Sequence, residues 1–152
     1  MKKIINIVYI ILSLFLGGMM IYGGSQKFAR PIPPPTRMIE QVVKEGPDKL
    51  KDNQKVLKIR NYIFGLKQTN YFWQVLGVCE LLFGLLLVIQ GTGFIGAVLL
   101  LPITLHILLF HVFLEPDDTG ELIQTGTLFL INIILVAKEF LRWKHLVWIK
   151  FY

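Results

Sequence analysis

Cysteine is nearly absent from this chain of 152 residues: Cys79 stands alone. A single cysteine excludes an intramolecular disulfide, a CxxC redox pair and a cysteine-built zinc site. Charge is scarce as well, at 17% of residues against a usual ~25%. It is also unevenly spread. Residues 4–26 carry no charge, and Glu80 is the one Asp, Glu, Lys or Arg between Lys67 and Glu115. Most of the remaining charges crowd into residues 27–67. What fills the space is apolar: hydrophobic residues make up 54% against ~45–50% in globular chains, and mean hydropathy is +0.59. That segregation marks an integral membrane protein. The formal charge of +6 does not point to nucleic acid, because no nucleic-acid motif is present. The basic residues sit in segments that would abut a bilayer and meet anionic headgroups.

A helix needs roughly 20 apolar residues to cross a bilayer core. Four segments meet or approach that length, at about 4–24, 71–90, 94–114 and 122–141. The fold class expected is therefore an all-α integral membrane protein, a four-helix transmembrane bundle forming one membrane domain over 1–152. The first segment could instead be a cleaved signal peptide, but its apolar run exceeds the ~7–15 residues of a signal core and no AxA-like site follows. Spans two and three are joined by Gly91-Thr92-Gly93, which forces an antiparallel hairpin. Spans three and four are joined by EPDDTGE, where Pro116 and Gly120 break the helix and four carboxylates keep the loop wet.

The connection 25–70 is long. It opens with ARPIPPP, a stiff polyproline-like spacer. Thr36 can cap a helix over 37–45 that Gly46-Pro47 ends, with Met38, Ile39, Val42 and Val43 on one side. Asp48 can cap a second helix carrying Leu50, Val56, Leu57 and Ile59. Two amphipathic helices on the bilayer or over the bundle fit this pattern, as does a mobile solvated loop. The terminal side carries six Lys and Arg and the loop ten, so charge counting alone puts the loop in the cytoplasm.

Ionisable groups inside a membrane are costly, so each is a functional candidate with a partner to be found. Glu80 lies about 15 Å from the hairpin turn and His106 about 20 Å from it on the returning helix, at 1.5 Å per residue. These two are the candidate catalytic pair. Gly77, Glu80 and Gly84 share a face, so a neighbouring helix can approach closely there. A buried carboxylate without a cation would be neutral, bonded to His106 or to a backbone carbonyl. A structural role and a proton-handling role both remain open for it. Pro102 frees the carbonyl of Val98. His106 and His111 are about 140° apart around their helix and cannot hold one metal from one face, so no metal or haem site is expected. Lys27, Gln74, His111 and Gln124 gather at the loop end as candidate ligand-binding residues, with Glu121 beside them, in a pocket opening toward the long loop. Alternatively, Lys27 snorkels to phosphates. Phe72, Trp73, Trp143 and Trp148 read as interfacial aromatics.

GGSQKF closing span one, GVCELLFGLLLV in span two and VLLLPITLHILLFHVF in span three resemble the DoxX-like family of small four-span integral membrane proteins. The resemblance implies membership of membrane redox complexes, with a quinone as the implied cofactor. A related branch acts in receptor assembly. It also implies cytoplasmic termini, against the charge count, in what would be a bacterial inner membrane. Two functions follow as expectations. In the first, Glu80 and His106 serve a quinone-linked oxidoreductase subunit. In the second, a non-catalytic assembly or accessory subunit binds a membrane protein partner, or itself, through its loop helices and the small-residue faces of spans one and two. The expected partners are the lipid bilayer and other membrane proteins.

Overall fold

The computed structural model describes residues 2–29, 32, 34, 36–46 and 54–138. These residues are helical or connect helices, with no strand among them. In chain order the elements are α1 (Lys2–Gln26), α2 (Thr36–Glu45), α3 (Gln54–Gln68), α4 (Phe72–Val88), α5 (Gly93–Leu114) and α6 (Thr119–Lys138). Residues 3–26, α5 and α6 are each long and apolar enough to cross a membrane. At 17 residues, α4 rises only about 25 Å and falls short alone. It qualifies only together with α3, from which it is bent by 86°. The expected extension of the last span to Leu141, and Trp143 and Trp148, lie outside the described residues. So do Asp48 and Leu50 and most of ARPIPPP.

The four long helices pack in a ring, α1 on α4, α4 on α5, α5 on α6 and α6 back on α1. The α1–α4 seam is set by glycines spaced seven apart on both helices. A Cβ on Gly17 would lie 2.8 Å from the Gly84 carbonyl oxygen, and one on Gly24 would lie 2.8 Å from that of Gly77. Residues 17 and 24 thus face 84 and 77 in one antiparallel register, and only hydrogen atoms fit between the backbones. This is the close approach that the Gly77/Glu80/Gly84 face leads one to expect. The hairpin closes as tightly, since a Cβ on Gly96 would meet the backbone of Phe83, Leu86 and Leu87 within 2.9 Å. Thr92 seals the end of α4 by donating to the Leu86 carbonyl at 2.8 Å.

The loop elements also have local causes. Gly46 takes φ +81°, the left-handed conformation that ends α2 where the sequence places its stop. The second loop helix, α3, reaches further than expected, to Gln68, and contacts α4 and α5. Its corner with α4 turns on Asn70 at φ 60°, a conformation asparagine tolerates well. Thr69 joins the two helix ends: it donates to the Leu66 carbonyl at 2.8 Å and accepts from the Phe72 amide at 3.0 Å. Asp118 caps α6 by accepting from the Glu121 amide at 3.2 Å.

Candidate functional site

Glu80 is the largest ionisable side chain in the interior, 2% exposed on the glycine face of α4. Its Oε2 lies 2.5 Å from Lys27 Nζ, and a Cβ on Gly23 of α1 would stand 3.6 Å from the same oxygen. The cation therefore comes from α1, one residue past its last helical position. Charge pairing offsets the cost of burying either group alone. Lys27 also lies 5.3 Å from the centre of the Trp73 ring, and Lys67 approaches that ring to 4.8 Å. Trp73 is thus flanked by two cations, a use of its π face that goes beyond an interfacial anchor.

His106 does not join Glu80. It is exposed on α5, and its Nε2 is hydrogen-bonded to the hydroxyl of Tyr62 from α3. Tyr62 also packs on Phe110, with ring centres 5.5 Å apart. Burial pushes the Tyr62 phenol up from its ordinary value. Glu80 and His106 lie at similar depths by residue count from the hairpin turn. Direction around the helix separates them, because Glu80 turns to α1 and His106 turns to α3. Glu80 likewise closes onto a neighbouring helix rather than onto open space.

The other candidates are scattered over the loop end. His111 Nδ1 lies 2.8 Å from Glu115 Oε2 one turn on, close but without hydrogen-bond geometry. Gln74 has a buried Oε1 without a partner among the described residues. Gln124 is exposed. Of the six sequence candidates, the structure brings only Lys27 and Glu80 into contact as a pair. Among the described residues no group of His, Cys, Asp and Glu could hold a metal ion. A cleft lies at the opposite end of the bundle from Lys27, among Tyr9, Ser13, Gln90 and Lys138.

A second buried polar centre escaped the sequence reading. Asn132 is fully buried on α6. With its carboxamide turned to satisfy every partner, Nδ2 donates to the Ala97 carbonyl at 2.9 Å. Oδ1 accepts from Thr104 Oγ1 at 3.0 Å and from the Leu101 amide at 3.1 Å. The side chain inserts into the backbone ladder of α5 beside Pro102, where α5 already lacks one donor. The signal was present: a lone asparagine in the apolar run LFLINIILV, opposite a span bearing a proline. Asn132→Leu is expected to cost about 0.6–1.7 kcal/mol, the range found for side-chain hydrogen bonds between membrane helices. Equilibrium unfolding in mixed detergent micelles measures it, and an unchanged midpoint would remove the bond from the account.

Comparison of the chain with protein-family models, with curated proteins and with solved structures finds no match. Among the described residues, fold and site define a class: a helical bundle with three helices long and apolar enough to cross a membrane, and a buried ion pair joining α1 to α4.

Proposed function

We propose that the chain is a four-span integral membrane protein that serves as a non-catalytic accessory or assembly subunit of a membrane complex. The observation that carries this reading is the sealed Lys27–Glu80 pair. The strongest acid candidate in the apolar segments is spent on locking α1 to α4 and offers no carboxylate to a substrate. Many large apolar side chains on all four long helices face outward, including Ile11, Phe15, Leu82, Ile95 and Leu130. A bilayer would cover them. In this reading α4 is the fourth span, completed by the corner at residues 69–71. The small-residue faces of α1 and α4 are engaged with each other, so a partner would use α2, α3 and the outer helix faces. The stretches that resemble DoxX-like proteins carry Lys27, Glu80 and His106, which supports that kinship as part of the proposal, together with an inner-membrane location and cytoplasmic termini.

A second reading keeps the quinone-linked redox role and moves its site. The Tyr62–His106 pair is polar, accessible and set on the flank of α5, where a lipid-soluble quinone headgroup could accept a hydrogen bond. One preparation separates the two. The full-length protein, extracted in mild detergents, is expected to resist carbonate stripping and to elute with another membrane protein in fixed ratio. Elution alone in every detergent, with a short-chain quinone analogue bound by the native chain and lost in His106→Gln, would replace the first reading by the second.

A further inference from the structure

At the end of the bundle away from Lys27, Tyr9 and Ser13 of α1, Gln90, Gly93 and Phe94 of the hairpin, and Lys138 of α6 surround a cleft of about 70 Å³. Among the described residues no acidic side chain lines it. Ser13 is 9% exposed there. The hydroxyls of Ser25, Thr104, Thr125 and Thr127 turn back onto carbonyls of their own helices, whereas that of Ser13 has no partner among the described residues. It is a nearly buried donor lining an open cleft. The Thr92 hydroxyl is directed to the Leu86 carbonyl and does not cap the start of α5, and Gly93 of that first turn lines the same cleft. Lys138 brings a full positive charge to the site, its Nζ held 4.3 Å from the centre of the Tyr9 ring.

A hydroxyl donor, an ammonium and the amide end of a 22-residue helix converge, with no carboxylate among the described lining residues. That is the chemistry of a phosphate site. The volume is about half of the ~150 Å³ that admits benzene, which favours a single phosphate group over a ring. We propose that this cleft binds a phosphate group, and that its source is the headgroup of an anionic glycerophospholipid. The lipid source rests on the membrane-spanning reading, since the cleft would then open at the bilayer surface.

The test uses the full chain in nanodiscs, with phosphatidylglycerol doped into phosphatidylcholine, followed by native mass spectrometry of the ejected complex. Roughly a five-fold preference for the anionic lipid is expected, the effect of about one surface lysine. Lys138→Gln should abolish most of it and Lys138→Arg should keep it, while Ser13→Ala, which removes a donor to the phosphate that both lipids carry, should weaken retention of either lipid. Stabilisation of the native chain by millimolar inorganic phosphate in pure phosphatidylcholine discs, with no lipid preference, would retain the site and overturn the lipid source. An inserted, folded chain with neither lipid preference nor phosphate response, or with a preference unchanged by Lys138→Gln, would overturn the site. A chain that fails to enter nanodiscs would instead contradict the membrane reading on which the lipid source rests.

Discussion

Lys27→Met is expected to destabilise the bundle by about 3–5 kcal/mol, the cost of removing one partner from a buried ion pair. The size follows from where the survivor is left. Glu80 is 2% exposed between glycines, so it can neither reach water nor turn away. Glu80→Ala should cost a comparable amount, because it strands the lysine and also opens space beside Gly23 and Gly24. A lysine that merely reached for lipid phosphates would give a loss within about 1 kcal/mol, as exposed pairs do. Chemical unfolding of the purified chain, followed by circular dichroism in mixed micelles, distinguishes these outcomes.

The second large effect is expected in the glycine seam. Gly24→Ala would set a Cβ 2.8 Å from the Gly77 carbonyl oxygen, and Gly84→Ala would set one 2.9 Å from that of Gly17. Both obstacles are backbone, so relief requires α1 and α4 to move apart. About 1–3 kcal/mol is expected for each, as for other overpacked sites. Leucine at either position should prevent the seam from closing. Gly18 is the internal control: nothing lies within 4 Å of a Cβ built there, so Gly18→Ala should be neutral or stabilise by up to about 1 kcal/mol through helix propensity. Equal effects at Gly18 and Gly84, whether gains or losses, would mean that close approach does not govern this seam.

The seam shows what could be read from residues alone. Gly77, Glu80 and Gly84 fall on one face by spacing, and that face is buried against a neighbouring helix. The helix ends were equally legible, because Gly46, Gly91-Thr92-Gly93 and EPDDTGE act through local backbone chemistry. The identity of the Glu80 partner was not. Depth along two adjacent helices matched Glu80 with His106, but contact also requires facing directions. Those depend on how four helices rotate about their axes, and spacing within one helix does not reveal that. The information lay in a second glycine pattern, Gly17 and Gly24, whose seven-residue step matches that of Gly77 and Gly84. It fixes the α1–α4 register and brings the end of α1 over Glu80. The path of residues 54–68 was partly legible. Their helix could be read, whereas the 86° corner depends on one asparagine at positive φ.

Facing direction also separates the residues at the loop end. Lys27, Gln74, His111 and Gln124 were grouped because they share an end of the bundle, and the structure assigns them different neighbours. His111 closes on Glu115 within its own helix turn, a local pairing that its four-residue spacing permits. Lys27 is drawn inward to Glu80 because the glycine seam brings α1 close enough for a four-carbon side chain to reach.

The central claim is that Lys27 and Glu80 act on each other as a structural lock. The most direct test is a double-mutant cycle in unfolding free energy with Lys27→Met, Glu80→Leu and the two combined. If the pair is a lock, each single variant loses several kcal/mol while the combined variant recovers most of that loss, because two apolar side chains replace two buried charges. Losses that simply add in the combined variant would contradict the account, since they would mean that the two residues stabilise the bundle independently.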